Sequence, residues 1–281
     1  MKASTMTMRQ LGWRLMLMAW LACCGMPAGA ETRVRVLDAP APAVAALRNL
    51  APDIGWLTDD SAAADISLVW QADNYGRQVE RHPDQPVLLL AQGASGLTLR
   101  PEDAALLWGP SLAAQLQLAR QALPSAQRVG ILHRAGQRAE VEALKATAGI
   151  DILSREVSPP LAARDIAELA QRVDILIAGN DEQLFSRDSA KLVLLTAYRH
   201  QRAWIGPTPA FVTAGALATR AVGKGTLLHV IVDRVRGWAR QHRLGASQQL
   251  PADEVVCNRQ VARSLGLSLS QATGCPGGEE R

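Results

Sequence analysis

Gly223-Lys-Gly-Thr226 has the outline of a loop that cradles phosphate. Such a loop needs Ser or Thr directly after the Lys, and Gly225 stands there; it needs an earlier Gly where Ala218 stands. No Gly-x-Ser-x-Gly elbow is present for acyl transfer. The five histidines are scattered without the spacing of a metal-ligand set. A metal centre, a cofactor and an enzymatic activity are therefore not expected. What remains is a set of polar and aromatic side chains suited to holding a small molecule. Asn180 and Thr208 offer hydrogen bonds, Asp181 offers a carboxylate for an amine, and Phe211 and Trp70 offer faces for an apolar group. Ser111 opens a helix after Gly109-Pro110, where free backbone N–H groups receive a carboxylate. Each has a plainer alternative. Asp181 and Ser111 suit helix caps, and Phe211, Trp70, Trp108 and Trp204 suit a core.

These residues gain meaning from the elements that carry them. Short apolar runs alternate with longer amphipathic ones. Strands are expected at Arg33–Leu37, Asp53–Leu57, Ile66–Trp70, Pro86–Ala91, Arg128–Leu132, Asp151–Val157, Asp174–Ala178 and Ala203–Gly206. Between them, helices are expected near 41–50, 74–81, 110–123, 137–148, 162–172 and 186–200, with another over 226–241. A stretch at 215–219 reads as extended, and 254–257 adds a short strand before a last helix over 259–265. This alternation implies right-handed βαβ units and parallel sheets. In such sheets ligands sit beyond the carboxyl ends of strands. That rule places His133-Arg134, Gly179-Asn180-Asp181 and Pro207–Phe211 on one rim.

Three stretches resemble the ABC-transporter substrate-binding family of the tryptophan- and phenylalanine-binding type. They are Leu123-Pro-Ser-Ala-Gln-Arg-Val-Gly-Ile-Leu132; Val173–Asp181 followed by Ala203-Trp-Ile-Gly and Val212-Thr-Ala-Gly-Ala216; and Asn258-Arg-Gln-Val-Ala-Arg-Ser-Leu-Gly-Leu267. The likeness covers roughly residues 105–268 and fades before them, where the first lobe reads as short and lacks the family's ligand-gripping loop. The resemblance implies an α/β protein of two Rossmann-like lobes with parallel sheets, in the type I periplasmic-binding architecture with hinge crossovers. One lobe would comprise 31–118 with 212–247, the other 119–211 with 248–281. It implies that Asn180, Asp181, Thr208 and Phe211 line the second-lobe wall of an interlobe cleft. Ser111 and Trp70 are the further candidates. The implied function is capture of a small organic ligand, an amino acid or aromatic acid, for a membrane permease. A remodelled sensor or adaptor of the same frame, signalling to a membrane receptor, is the alternative.

Residues 1–30 read as an export signal: Lys2, Arg9 and Arg14, then the apolar run Leu15–Ala22, then Ala28-Gly29-Ala30 before Glu31. The expected place is the periplasm, cut between Ala30 and Glu31. A retained anchor, or lipidation at Cys23 or Cys24, is the alternative. Cleavage leaves 27 basic and 26 acidic side chains, because the leader carries three of the 30 basic residues and none of the 26 acidic ones. A mature chain so nearly neutral, without a basic cluster interleaved with aromatics, is not a nucleic-acid binder. It is expected to be a monomer that does not enter the membrane. Cys257 and Cys275 are the cysteines left; an oxidising compartment lets them pair, and two free thiols are the alternative.

Overall fold

The computed structural model describes residues 32–59, 63–93, 98–267, 269 and 275. The expected leader and Cys23 and Cys24 lie outside them. The first half of the chain forms β1 (Arg33–Leu37), α1 (Ala41–Leu50), β2 (Gly55–Leu57), β3 (Ile66–Val69), α2 (Tyr75–Arg81), β4 (Val87–Ala91) and β5 (Ala104–Leu107). The second half forms α3 (Leu112–Ala122), β6 (Arg128–His133), α4 (Arg138–Thr147), β7 (Asp151–Glu156), α5 (Ala163–Ala170), β8 (Ile175–Ala178), α6 (Arg187–Arg199) and β9 (Ala203–Ile205). Then follow α7 (Pro209–Ala214), β10 (Ala218–Ala221), α8 (Lys224–Gln241), β11 (Gln248–Gln249), β12 (Glu254–Cys257) and α9 (Arg259–Ser264).

Two six-stranded sheets result, in the orders β11-β5-β4-β3-β1-β2 and β12-β10-β9-β8-β6-β7. All neighbours pair in parallel except β12, which runs antiparallel to β10. The central strands β4 and β8 are buried along their whole length, as their unbroken apolar sequences require of strands covered on both faces.

The chain changes lobes three times, after β5, before α8 and before β12. α3 buries Leu112, Leu116, Leu118 and Ala119 in the second lobe's core beside Val129 and Ile131. α8 returns to the first lobe, where Ile231, Val232 and Val235 pack among Val34, Val44 and Leu47. β11 pairs with β5 of the first sheet. The crossings therefore lie at 108–111, 222–223 and 250–253, not near 118, 211 and 247. The reason is that each apolar helix face follows the sheet it covers rather than the strand before it. α7 also replaces an expected loop: Pro209 sits in its first turn, and Gly215 at φ 128° ends it.

Fully buried Gln115 of α3 secures the second lobe. Its amide donates to Gly206 O (2.7 Å) and Thr219 Oγ1 (3.1 Å) and accepts from Arg220 N (3.2 Å). Cys257 and Cys275 form a disulfide with Cα atoms 5.8 Å apart, so the paired alternative holds.

The first lobe is the thinner one. Among the described residues, neither the β2–β3 link nor the β4–β5 link carries a helix. A polar staple secures the β4–β5 link. Arg100 grips Asp103 with Nε at 2.8 Å and one terminal nitrogen at 3.0 Å. Asp103 also accepts from Tyr75 Oη (2.6 Å) and Val87 N (2.8 Å), and its side chain has no solvent exposure. Removing Asp103 leaves Tyr75 Oη and buried Val87 N without their acceptor, at about 1–3 kcal/mol, while Arg100 keeps Glu102 at 3.3 Å. Asp103→Ala is expected to lower the urea midpoint accordingly at an unchanged m-value. A midpoint equal to the parent's would show that the staple contributes nothing.

Candidate functional site

The carboxyl ends of both sheets face each other across the crossings. From the first lobe come Asp73 after β3, Gln92-Gly93 after β4 and Gly109 after β5. From the second come His133-Arg134 after β6, Gly179–Glu182 after β8 and Pro207-Thr208 after β9.

Asn180 makes the contact between lobes. Its Nδ2 donates to Pro110 O, and its buried Oδ1 has no partner. It occupies room left by glycines: a Cβ on Gly93 would come 2.6 Å from Asn180 O, and one on Gly109 would strike the Asn180 amide itself.

Asp181 is committed to its own loop. Its Oδ1 accepts from Gln183 N and Leu184 N, both at 3.1 Å, and its Oδ2 accepts from Arg134 Nε at 2.5 Å. It is 3% exposed. It is not the helix cap the alternative supposed: Ser186 caps α6, accepting from Ser189 N, while Asp181 holds the turn at 183–184 and pairs with Arg134. Ser111 likewise caps α3, accepting from Ala114 N at 3.2 Å. Leu112 N at that helix start donates to Glu140 Oε1 at 3.3 Å, so the protein supplies its own carboxylate. Trp70 packs half-buried against the first-lobe core. His133 is buried, with Nδ1 3.0 Å from Arg134 O.

Beside the Asn180 contact lies a pocket of about 800 Å³. Gln92 from the first lobe and Glu182, Phe185, Leu194, Thr208 and Phe211 from the second line it. Phe211 meets Trp204 edge-on at 5.3 Å, and Trp204 meets Phe185 at 5.8 Å, so a buried aromatic row stiffens this wall. Thr208 is 8% exposed, and its hydroxyl makes no hydrogen bond among the described residues, although the residue occupies the N-cap position of α7. Glu182 stands accessible to solvent. Its carboxyl is held above the usual carboxylate range, first by the protein mass that displaces water around it, then by the negative charges of Asp73 and Asp181.

Thr208 and Phe211, two of the expected wall residues, thus meet at the pocket, while Asn180 and Asp181 stand behind it and Ser111 and Trp70 line none of it. Gln92, Phe185 and Glu182 were not singled out from the sequence. Gln92 was within reach of the strand-end rule applied to β4. Glu182 was masked by its neighbour Asp181, the stronger capping residue.

The phosphate-loop outline resolves into a hinge fastening. Asp253, on the third crossing, accepts from Gly223 N (2.7 Å) and Thr226 Oγ1 (2.5 Å) at the start of α8. An internal carboxylate therefore fills the place an external anion would take. Among the described residues there is no group of three or more His, Cys, Asp or Glu that could hold a metal ion.

No protein-family model matches the chain, and no curated protein sequence matches it. Solved structures do. The ABC domain in complex with L-Trp from Streptococcus pneumonia aligns at a TM-score of 0.59 and 14% identity, covering 86% of this chain and 97% of that one. The ligand-free, open structure of a substrate binding protein with adhesive properties from Clostridium difficile aligns at 0.60 and 17%, covering 85% and 96%. A conserved domain protein from Vibrio cholerae aligns at 0.59 and 16%, covering 86% and 97%. With the two sheets and three crossings described above, these likenesses show the two-lobed type I periplasmic-binding-protein fold.

Two outcomes are expected at this site. Gly93→Ala drives a methyl into a backbone carbonyl of the other lobe, an overpacking cost of about 1–3 kcal/mol to the closed arrangement. Small-angle scattering should give a larger radius of gyration than the parent's; an identical radius would show that the lobes are not held apart or together here. Asp253 is held below the usual carboxylate range, by its hydrogen bond from Thr226 first and that from Gly223 next. A depressed folded pKa contributes stability above the unfolded value and loses it as pH falls through the folded one. Asp253→Asn should therefore cost stability at pH 7 and very little at pH 2, by less than about 1 kcal/mol because the group is open to solvent. Equal effects at both pH values would refute the fastening.

Proposed function

We propose that this chain is a solute-binding protein that captures a small organic molecule in the pocket between its lobes and hands it to an ABC-type permease. The observation that carries the reading is a pocket lined by Gln92 from one lobe and by Thr208, Phe211 and Glu182 from the other, residues that follow the carboxyl ends of β4, β8 and β9. Ligands bind at such places in α/β folds, and three crossings permit hinged closure. Supporting it, the matched structures include a domain holding L-Trp and a substrate binding protein. The sequence stretches resembling the tryptophan- and phenylalanine-binding family support an amino acid or aromatic acid as ligand. The basic start, the apolar run and the Ala28-Gly29-Ala30 site support export to the periplasm, with Glu31 as the mature first residue. Binding, not catalysis, is the role these features support.

One observation favours the sensor or adaptor alternative. The thin first lobe, with Asn180 seated in its glycines, gives the closed form a support of its own. A protein that signals through lobe position has use for such a support.

Thermal shift against a panel of amino acids, aromatic acids, amines and sugars tests ligand capture. A compound at 100 times its dissociation constant adds about 2.7 kcal/mol of stability. Ala210→Trp, which fills the pocket, should abolish the shift. A panel without any shift, or a shift unchanged by Ala210→Trp, would remove the pocket from the account.

A further inference from the structure

The pocket's walls and its charged groups point in one chemical direction. Phe185, Phe211, Leu194 and the alanines of α6 and α7 form an apolar body-sized recess. Thr208 is buried beside it with an unused hydroxyl. At the mouth stands Glu182, with no ion pair or hydrogen bond among the described residues. Asp181, its neighbour, is already neutralised by Arg134 at 2.5 Å. The negative charge of Asp73, at the end of β3 in the other lobe, adds to the protein mass around Glu182 in disfavouring its ionised form. A cation beside Glu182 favours that ionised form instead.

We propose that the pocket takes an organic ammonium ion with an apolar or aromatic body, Glu182 accepting the ammonium while Thr208 and Gln92 supply further hydrogen bonds. This rests on the reading of the pocket as the ligand site. Within the range of ligands the resemblance supports, this narrows the choice: an amino acid would place its α-carboxylate beside Glu182 and bind more weakly than the matching amine, and an aromatic acid lacking nitrogen more weakly still. Lys191 lines the pocket too, nine residues further along the chain from Glu182, and its charge is the competing attractor for an anion.

Titration calorimetry with 2-phenylethylamine, phenylalanine and 3-phenylpropionate separates these outcomes. The amine should bind tightest. Glu182→Gln, which keeps the shape and removes the charge, should weaken it about tenfold or more at an unchanged melting temperature. Amine affinity unaltered by Glu182→Gln overturns the proposal. So does tighter binding of 3-phenylpropionate that is lost in Lys191→Met, which would assign the pocket to anions and leave ligand capture standing. Absence of binding by all three probes, with no shift from the wider panel, removes the pocket reading itself.

Discussion

The meeting of Asn180 with Gly93 and Gly109 sets the distance between the two lobes, and the rest of the site is arranged around it. A side chain from the loop after β8 enters space that two residues of the first lobe and its crossing leave empty. The contact is steric on one side and polar on the other, through Pro110 O. Interiors are close-packed, so such a fit has few intermediate positions. It fixes where Gln92 stands relative to Thr208, and hence the shape of the pocket between them.

Around that contact the protein answers most of its charges from within. Asp253 occupies the α8 start, Glu140 reaches the α3 start, and Arg134 neutralises Asp181. Each arrangement ties one segment to another and removes a place where an external ion would settle. Glu182 and Asp73 are the exceptions near the pocket, and the unused Thr208 hydroxyl lies beside them. Lys191 in the pocket lining and the buried Oδ1 of Asn180 are further polar groups for which no partner is present among the described residues.

Much of the second lobe was legible in the sequence. The runs at 128–132, 174–178 and 203–206 are apolar, short and bounded by polar turns, and each becomes a strand within a residue or two. The ends of those strands include Thr208 and lead to Phe211, both of which line the pocket. Three features were not legible. The lobe crossings depend on which sheet an apolar helix face covers, and one face of α3 or α8 carries no mark of that choice. α7 is six residues long, too short for a periodic pattern to declare itself. Glu182 is exposed and without a partner among the described residues where Asp181 is buried and paired, a difference of tertiary structure that residue type does not record. Asp181 itself, with its short side chain two residues before a loop N–H, was as good a cap as a ligand group on paper.

The margins of the first sheet are narrow. β2 contributes three residues at one side, and β11 two at the other. A strand of another molecule gains its hold by a row of main-chain hydrogen bonds, and two or three residues offer too few to hold it. In the second sheet, β12 turns against its neighbour at one side, with Cys257 at its end bonded to Cys275. Three of the four borders are thus brief or fastened, which leaves β7 as the longest open margin and the side from which strand-to-strand aggregation of this fold would begin.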